Sequence, residues 1–173
     1  MFLKLASSIH KFNTKEGELT SLLIIPLVVV VIYEVFMRYI FNAPTVWGFE
    51  VTTFLYGIHY MFGYAYTDAL DGHVKVDIFT ARMSRRTQAV FAIITNLVLF
   101  LPVFTCMTIW AFRFAYNATS QLERNSTSWA PPIWPFKIIM ALCFLFLLMQ
   151  GISNLIRSIH RLSQEPDQDD GLK

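Results

Sequence analysis

Leu22-Leu23-Ile24-Ile25-Pro26-Leu27-Val28-Val29-Val30-Val31-Ile32-Tyr33-Glu34-Val35-Phe36-Met37-Arg38-Tyr39-Ile40-Phe41 decides the fold. A helix rises 1.5 Å per residue, so about 20 apolar residues cross a hydrocarbon layer about 30 Å thick. This run meets that length with two charged residues, both near one end. Working outward, similar stretches recur at about 47–70, 89–112 and 133–156, and the first extends back to 19. The pattern predicts an all-α integral membrane protein: one domain over residues 1–173 with four long transmembrane helices and short interfacial amphipathic helices. Residues 157–173 are expected to form a cytoplasmic tail, basic and then acidic.

Composition agrees. The chain is 55% hydrophobic and 16% aromatic, with a mean hydropathy of +0.48, and little remains for a second, soluble domain. A net charge of +2 is too small to argue for nucleic acid. With the N-terminus inside, Lys4, Lys11, Lys15, Lys75, Arg82, Arg85, Arg86, Arg157, Arg161 and Lys173 are cytoplasmic, against Arg38, Arg113, Arg124 and Lys137 outside. That asymmetry predicts both termini in the cytoplasm of a multi-pass protein. The first apolar run lacks a small-residue cleavage pattern, so it reads as a retained span. Cys106 and Cys143 stand singly in apolar runs and read as small packing residues.

The segments between spans have their own signals. Residues 1–18 carry Phe2, Leu5, Ile9 and Phe12 at helical spacing beside Lys4 and Lys11, which suits a helix lying at the cytoplasmic interface. At Asn42-Ala43-Pro44-Thr45 the proline removes a donor and forces a tight outer turn. Trp47 then sits where an indole prefers to be, and Thr45 is an expected N-cap. Residues 71–86 place Val74, Ile78 and Ala81 on one face and Arg82, Arg85 and Arg86 near the headgroups, predicting a surface-lying elbow that contacts membrane lipids. Pro102 is expected to kink the third span, whose apolar character persists toward Tyr116. The loop 117–132 leads into the rigid, aromatic run Trp134-Pro135-Phe136-Lys137.

Ionisable groups within spans cost about 2.5 to 3.5 kcal/mol each at the centre, so each calls for a partner or a task. Glu34 and Arg38, four apart, face the same way. Glu50, one turn into the second span, lies within expected reach of Arg38, and Lys137 enters the fourth span at similar depth. Together these four are candidates for an outer polar layer that locks helices or meets another subunit. His59, alone inside a span, reads as a hydrogen-bonded packing residue, because a bis-His haem needs a second intramembrane His. Asp68, Asp71, His73 and Asp77 superficially suggest a metal site, but carboxylates at a helix start have a structural use already. No hydrolase elbow, zinc-protease motif or phosphate loop occurs in the sequence.

Arg38-Tyr39-Ile40-Phe41-Asn42-Ala43-Pro44-Thr45-Val46-Trp47-Gly48-Phe49-Glu50 resembles the signature of the small membrane subunit of tripartite ATP-independent periplasmic (TRAP) transporters, the Q-type small permease. His73-Val74-Lys75-Val76-Asp77 is similar to a second block of that family, and Trp134-Pro135-Phe136-Lys137 with Gln150 to its C-terminal part. The resemblance implies a non-enzymatic subunit of the bacterial inner membrane that binds neither substrate nor cofactor. Its implied partners are a large elevator-type permease subunit, which carries the substrate and sodium sites, and a periplasmic substrate-binding protein delivering an organic anion. The candidate structural or interface residues are then Glu34, Arg38, Asn42, Pro44, Trp47, Glu50, His73, Asp77, Arg82, Arg85, Arg86, Trp134 and Lys137. The alternative is a small proton-coupled exporter acting as a homodimer, with Glu34 as the coupling carboxylate.

Overall fold

Apolar periodicity becomes six α-helices in the computed structural model, which describes residues 2–70, 72 and 83–164. They are α1 (Phe2–Ser21), α2 (Ile24–Tyr39), α3 (Gly48–Ala69), α4 (Arg85–Thr95), α5 (Leu101–Ser120) and α6 (Trp134–Gln164), with a π-helical turn at Asn96–Phe100 between α4 and α5. Among the described residues there is no strand, only an isolated bridge between Arg124 and Pro132. Three helical stretches among the described residues are long and apolar enough to cross a membrane: Leu3–Tyr39, Arg86–Ser120 and Trp134–His160. The fourth expected span, 47–70, forms the 22-residue α3. Glu50, Thr52, Thr53, His59, Thr67 and Asp68 make it too polar to stand with the other three.

Helix α1 differs from the expected stripe by a rotation of about one residue. It buries Ala6, Ile9, Asn13 and Gly17, a column of small and polar side chains, while Leu5 and Phe12 remain half exposed beside it. Small side chains let backbones approach, the usual basis of helix packing where solvent offers no hydrophobic drive. This column faces α3 and α6, and Lys4, Lys11 and Lys15 point away. Helix α5 follows the same rule with Thr108, Ala111, Ala115 and Ala118 buried, and Ala141 of α6 completes that core. Cys143 is buried with it, whereas Cys106 is exposed.

Three glycines receive aromatic rings from neighbouring helices. A Cβ on Gly17 would lie 2.3 Å from Tyr66, one on Gly57 2.7 Å from Phe136, and one on Gly151 2.1 Å from Phe100. Each is closer than carbon atoms can approach, so the absent side chain is what admits the ring. Phe146 of α6 adds ring contacts of its own, edge-on to Phe12 with centroids 5.0 Å apart and 5.8 Å from Phe62.

Two prolines break helical regularity. Pro26 has no N–H for the carbonyl of Leu22, which bonds Ile25 instead at 3.1 Å, and the α1–α2 junction tightens there. Pro102, expected to kink the third span, follows the π-helical turn, in which the Leu101 N–H reaches back five residues to the Asn96 carbonyl. The extra residue in that turn makes room for the proline ring, a common origin of such turns. The helix therefore runs well past the expected 89–112 at both ends.

Loop 121–133 is stapled rather than open. Leu122 has φ 47°, and the N–H groups of Leu122 and Glu123 reach the carbonyls of Thr119 and Ala118. This is a Schellman closure with leucine at the position that favours glycine. The Arg124 guanidinium donates to the Ala130 carbonyl at 3.2 Å, and the Ile133 N–H to the Glu123 carbonyl at 3.0 Å.

Candidate functional site

Polar groups gather in two places, one at the α2–α3 hairpin and one inside the bundle. At the hairpin, Arg38 Nη2 donates to Glu34 Oε1 at 2.9 Å. The other carboxylate oxygen, Glu34 Oε2, accepts from the Thr45 hydroxyl and from the Thr45 N–H. The same hydroxyl accepts from the Gly48 N–H at 3.1 Å, so Thr45 tethers Glu34 and satisfies a first-turn donor of α3, although the N-cap position falls on Trp47 rather than on the expected Thr45. Gly48 is required by this arrangement: a Cβ there would meet both Glu34 Oε2 and Thr45 Oγ1 at 2.6 Å. Asn42 takes φ 50°, which asparagine tolerates, and the Ala43 N–H closes the helix end on the Met37 carbonyl at 2.9 Å. Pro44 follows in the turn. Trp47 stacks on Tyr33, centroids 5.7 Å apart.

The expected four-residue outer layer separates into three parts: the Glu34–Arg38 pair, Glu50, and Lys137 with Glu123. Glu50 takes no part in the hairpin latch; it is only 4% exposed, and its Oε2 has no hydrogen-bond partner among the described residues. Lys137, in the first turn of α6 after Trp134, donates to Glu123 of the preceding loop at 2.6 Å and lies 3.8 Å from the centre of the Phe114 ring. It ties loop, α5 and α6 together. The Glu34 carboxylate, the coupling group in the exporter reading, is held by Arg38 and Thr45. His73, Asp77 and Arg82 lie outside the described residues, as does most of the expected elbow. Arg85 begins α4 behind Ser84, whose hydroxyl accepts from the Thr87 N–H at 3.2 Å, and Arg86 is exposed in the same turn.

Inside the bundle, a chain of amides crosses three helices. Asn13 of α1 donates to Gln150 Oε1 of α6 at 3.0 Å and to the Phe146 carbonyl at 3.3 Å. Gln150 donates to Asn154 Oδ1 at 3.1 Å, and Asn154 to Asp68 Oδ2 of α3 at 2.8 Å. Ser153 donates to the Ala6 carbonyl at 2.9 Å. Asn13, Gln150 and Ser153 are wholly buried. His59 donates through Nδ1 to the Thr20 carbonyl at 3.1 Å, next to the Pro26 break; a carbonyl only accepts, so that nitrogen carries the proton. Asn96 in the π-helical turn reaches the Gly151 carbonyl at 3.3 Å.

Of this spine, the sequence reading singled out only Gln150, His59 and Asp68. The available signal was the helical spacing of Gln150, Ser153 and Asn154 in an apolar helix, and of Asn13 with Ala6 and Gly17 on α1. Polar side chains at such positions face protein rather than lipid.

Long apolar helices, small-residue packing columns and polar groups occupied in holding helices together are the features of a polytopic membrane protein. Residues 27–161 match the family described as "Tripartite ATP-independent periplasmic transporters, DctQ component", and the chain belongs to that family. It is thus a small membrane component of a TRAP transporter. No curated protein matches the chain.

Proposed function

We propose that this chain is the fixed scaffold of its transporter: it widens and steadies the membrane body against which a large elevator-type subunit, carrying the organic-anion and sodium sites, moves. In this reading the complex sits in the bacterial inner membrane, a periplasmic binding protein delivers the solute, and no cofactor is held here. Helix α3 is the fourth crossing helix, and both termini are cytoplasmic.

The observation that carries the reading is the exposed face of α3. Tyr56, Tyr60 and Tyr64 recur every four residues, each about half exposed, and the first two rings lie 4.3 Å apart. A phenol hydroxyl in hydrocarbon lacks an acceptor, and leaving a buried polar group unpaired costs about 1 to 3 kcal/mol. A large membrane subunit supplies acceptors that acyl chains do not. Three buried polar side chains, Asn13, Gln150 and Ser153, by contrast bond within this chain, as suits a rigid support.

The decisive experiment is reconstitution. The chain is expected to co-purify with a much larger membrane protein, and vesicles are expected to take up solute only with both present. Solute uptake by vesicles holding this chain alone refutes the proposal. Replacing all three tyrosines by Phe should reduce co-purification while the isolated chain stays folded; undiminished co-purification removes α3 from the contact.

A further inference from the structure

Beside the latch, α2 and α3 line a groove of about 240 Å³ whose walls include Val31, Val35, Tyr39, Phe49 and Thr52, together with Arg38 and Glu34. The walls are apolar, and Tyr39 and Phe49 are the two most exposed residues around it, at 79% and 78%. The position is the end of the apolar α2, which closes a 37-residue helical stretch, next to the stacked Tyr33–Trp47 pair. Aromatic residues at the end of a membrane helix mark headgroup level.

The charges at this end are unequally occupied. Both Glu34 oxygens are bonded, one by Arg38 and the other by Thr45. Among the described residues Arg38 bonds Glu34 through Nη2 alone, whereas a guanidinium carries five N–H donors. Its side chain is 56% exposed. A cation with spare donors in a fork geometry suits the paired oxygens of a phosphate.

We propose that this groove is a glycerophospholipid site: the phosphodiester of one lipid accepts from the free N–H groups of Arg38, and one acyl chain lies along Val31 and Val35 between α2 and α3. The Glu34–Thr45 contacts keep the guanidinium at the rim rather than letting it swing outward, so the latch also positions the lipid. The site rests on the reading that α2 and α3 are embedded in the membrane. It selects an amphiphile rather than a free anion, because the apolar trough and the cation are contiguous.

The test uses the full chain purified in dodecyl maltoside, stripped of lipid and titrated with palmitoyl-oleoyl-phosphatidylglycerol, with bound lipid counted by native mass spectrometry. Wild type should retain one lipid. Arg38→Gln should lower its occupancy about fivefold or more, the scale of one cation facing an anionic lipid. Val35→Trp, which fills the trough and leaves the Glu34–Arg38 pair in place, should lower it as much. Arg113→Gln, at an exposed arginine elsewhere on the bundle, should change nothing. Circular dichroism checks that each variant is helical, and if Arg38→Gln fails to fold the Val35→Trp arm decides.

Lipid retained in Val35→Trp, or lost equally in Arg113→Gln, overturns the site in favour of unselective annular contact. Displacement of the lipid by millimolar inorganic phosphate overturns it in favour of a free anion. Lipid bound by the isolated chain but absent from the complex with the large subunit gives the groove to that subunit. Failure of the membrane reading looks different: alkaline carbonate then releases the chain from membranes whatever its lipid occupancy.

Discussion

The hairpin latch and the amide spine solve different problems with similar chemistry. The latch joins α2 to α3 across a short turn, uses an ion pair and a threonine, and leaves its arginine in contact with the surroundings. The spine joins α1 to α6 across 137 residues of sequence and α6 to α3 across 86, uses amides that end on the Asp68 carboxylate, and is fully buried at Asn13 and Gln150. Solvent screens the first, and exposed pairs contribute only about 0.2 to 1 kcal/mol. In the second, a lost partner strands a buried group at about 1 to 3 kcal/mol. The spine therefore governs tertiary structure, and the latch sets local geometry at the α2–α3 turn.

The predictions probe that difference, from the largest effect downward. Gly17→Leu drives a side chain into the Tyr66 ring where α1 meets α3. Overpacking of this kind costs about 1 to 3 kcal/mol or more, and thermal unfolding in detergent should show the largest drop of the set. An unchanged midpoint would mean that α1 is not docked on α3.

Gln150→Leu leaves the Asn13 amide and Asn154 Oδ1 without their partner, so a loss of about 2 kcal/mol is expected by the same measurement. Adding Asn13→Leu should recover part of it, because two facing apolar groups no longer strand a donor. If the double variant is as unstable as the sum of the singles, the two side chains are uncoupled.

Gly48→Ala displaces Glu34 and Thr45 from each other beside the half-exposed Arg38, and a smaller drop in the unfolding midpoint is expected, shrinking with added salt. A loss as large as that of Gln150→Leu would erase the distinction between the two regions. The smallest effect has the opposite sign. Leu122→Gly places glycine where φ is 47°, removing strain from the loop and raising stability by a few tenths to about 1 kcal/mol.

Much of this was legible in sequence because lipid imposes a length rule. The starts of α3 and α6 and the turn at Asn42–Pro44 fall where Trp47, Trp134 and Pro44 place them. The membrane-component family was legible from the Arg38–Glu50 run, which lies within the matched residues. What escaped depends on which neighbour a face meets. The stripe of Leu5, Ile9 and Phe12 drew attention to the larger side chains of α1, whereas the packed column is Ala6, Ile9, Asn13 and Gly17. Size ranks residues by transfer energy, but close approach of helices ranks them by smallness. Glu50 and Lys137 were grouped by depth, and depth says nothing about direction around a helix.

The three ring-and-glycine contacts have one further consequence. Tyr66 in Gly17, Phe136 in Gly57 and Phe100 in Gly151 link α1 to α3, α3 to α6, and α6 to the π-helical turn. Because each plug is one residue wide, a helix cannot slip lengthwise without first withdrawing a ring. Under the proposed scaffold role, sideways thrust from a moving neighbour would be shared across the bundle instead of being absorbed by sliding, and the part would resist creep under repeated strokes.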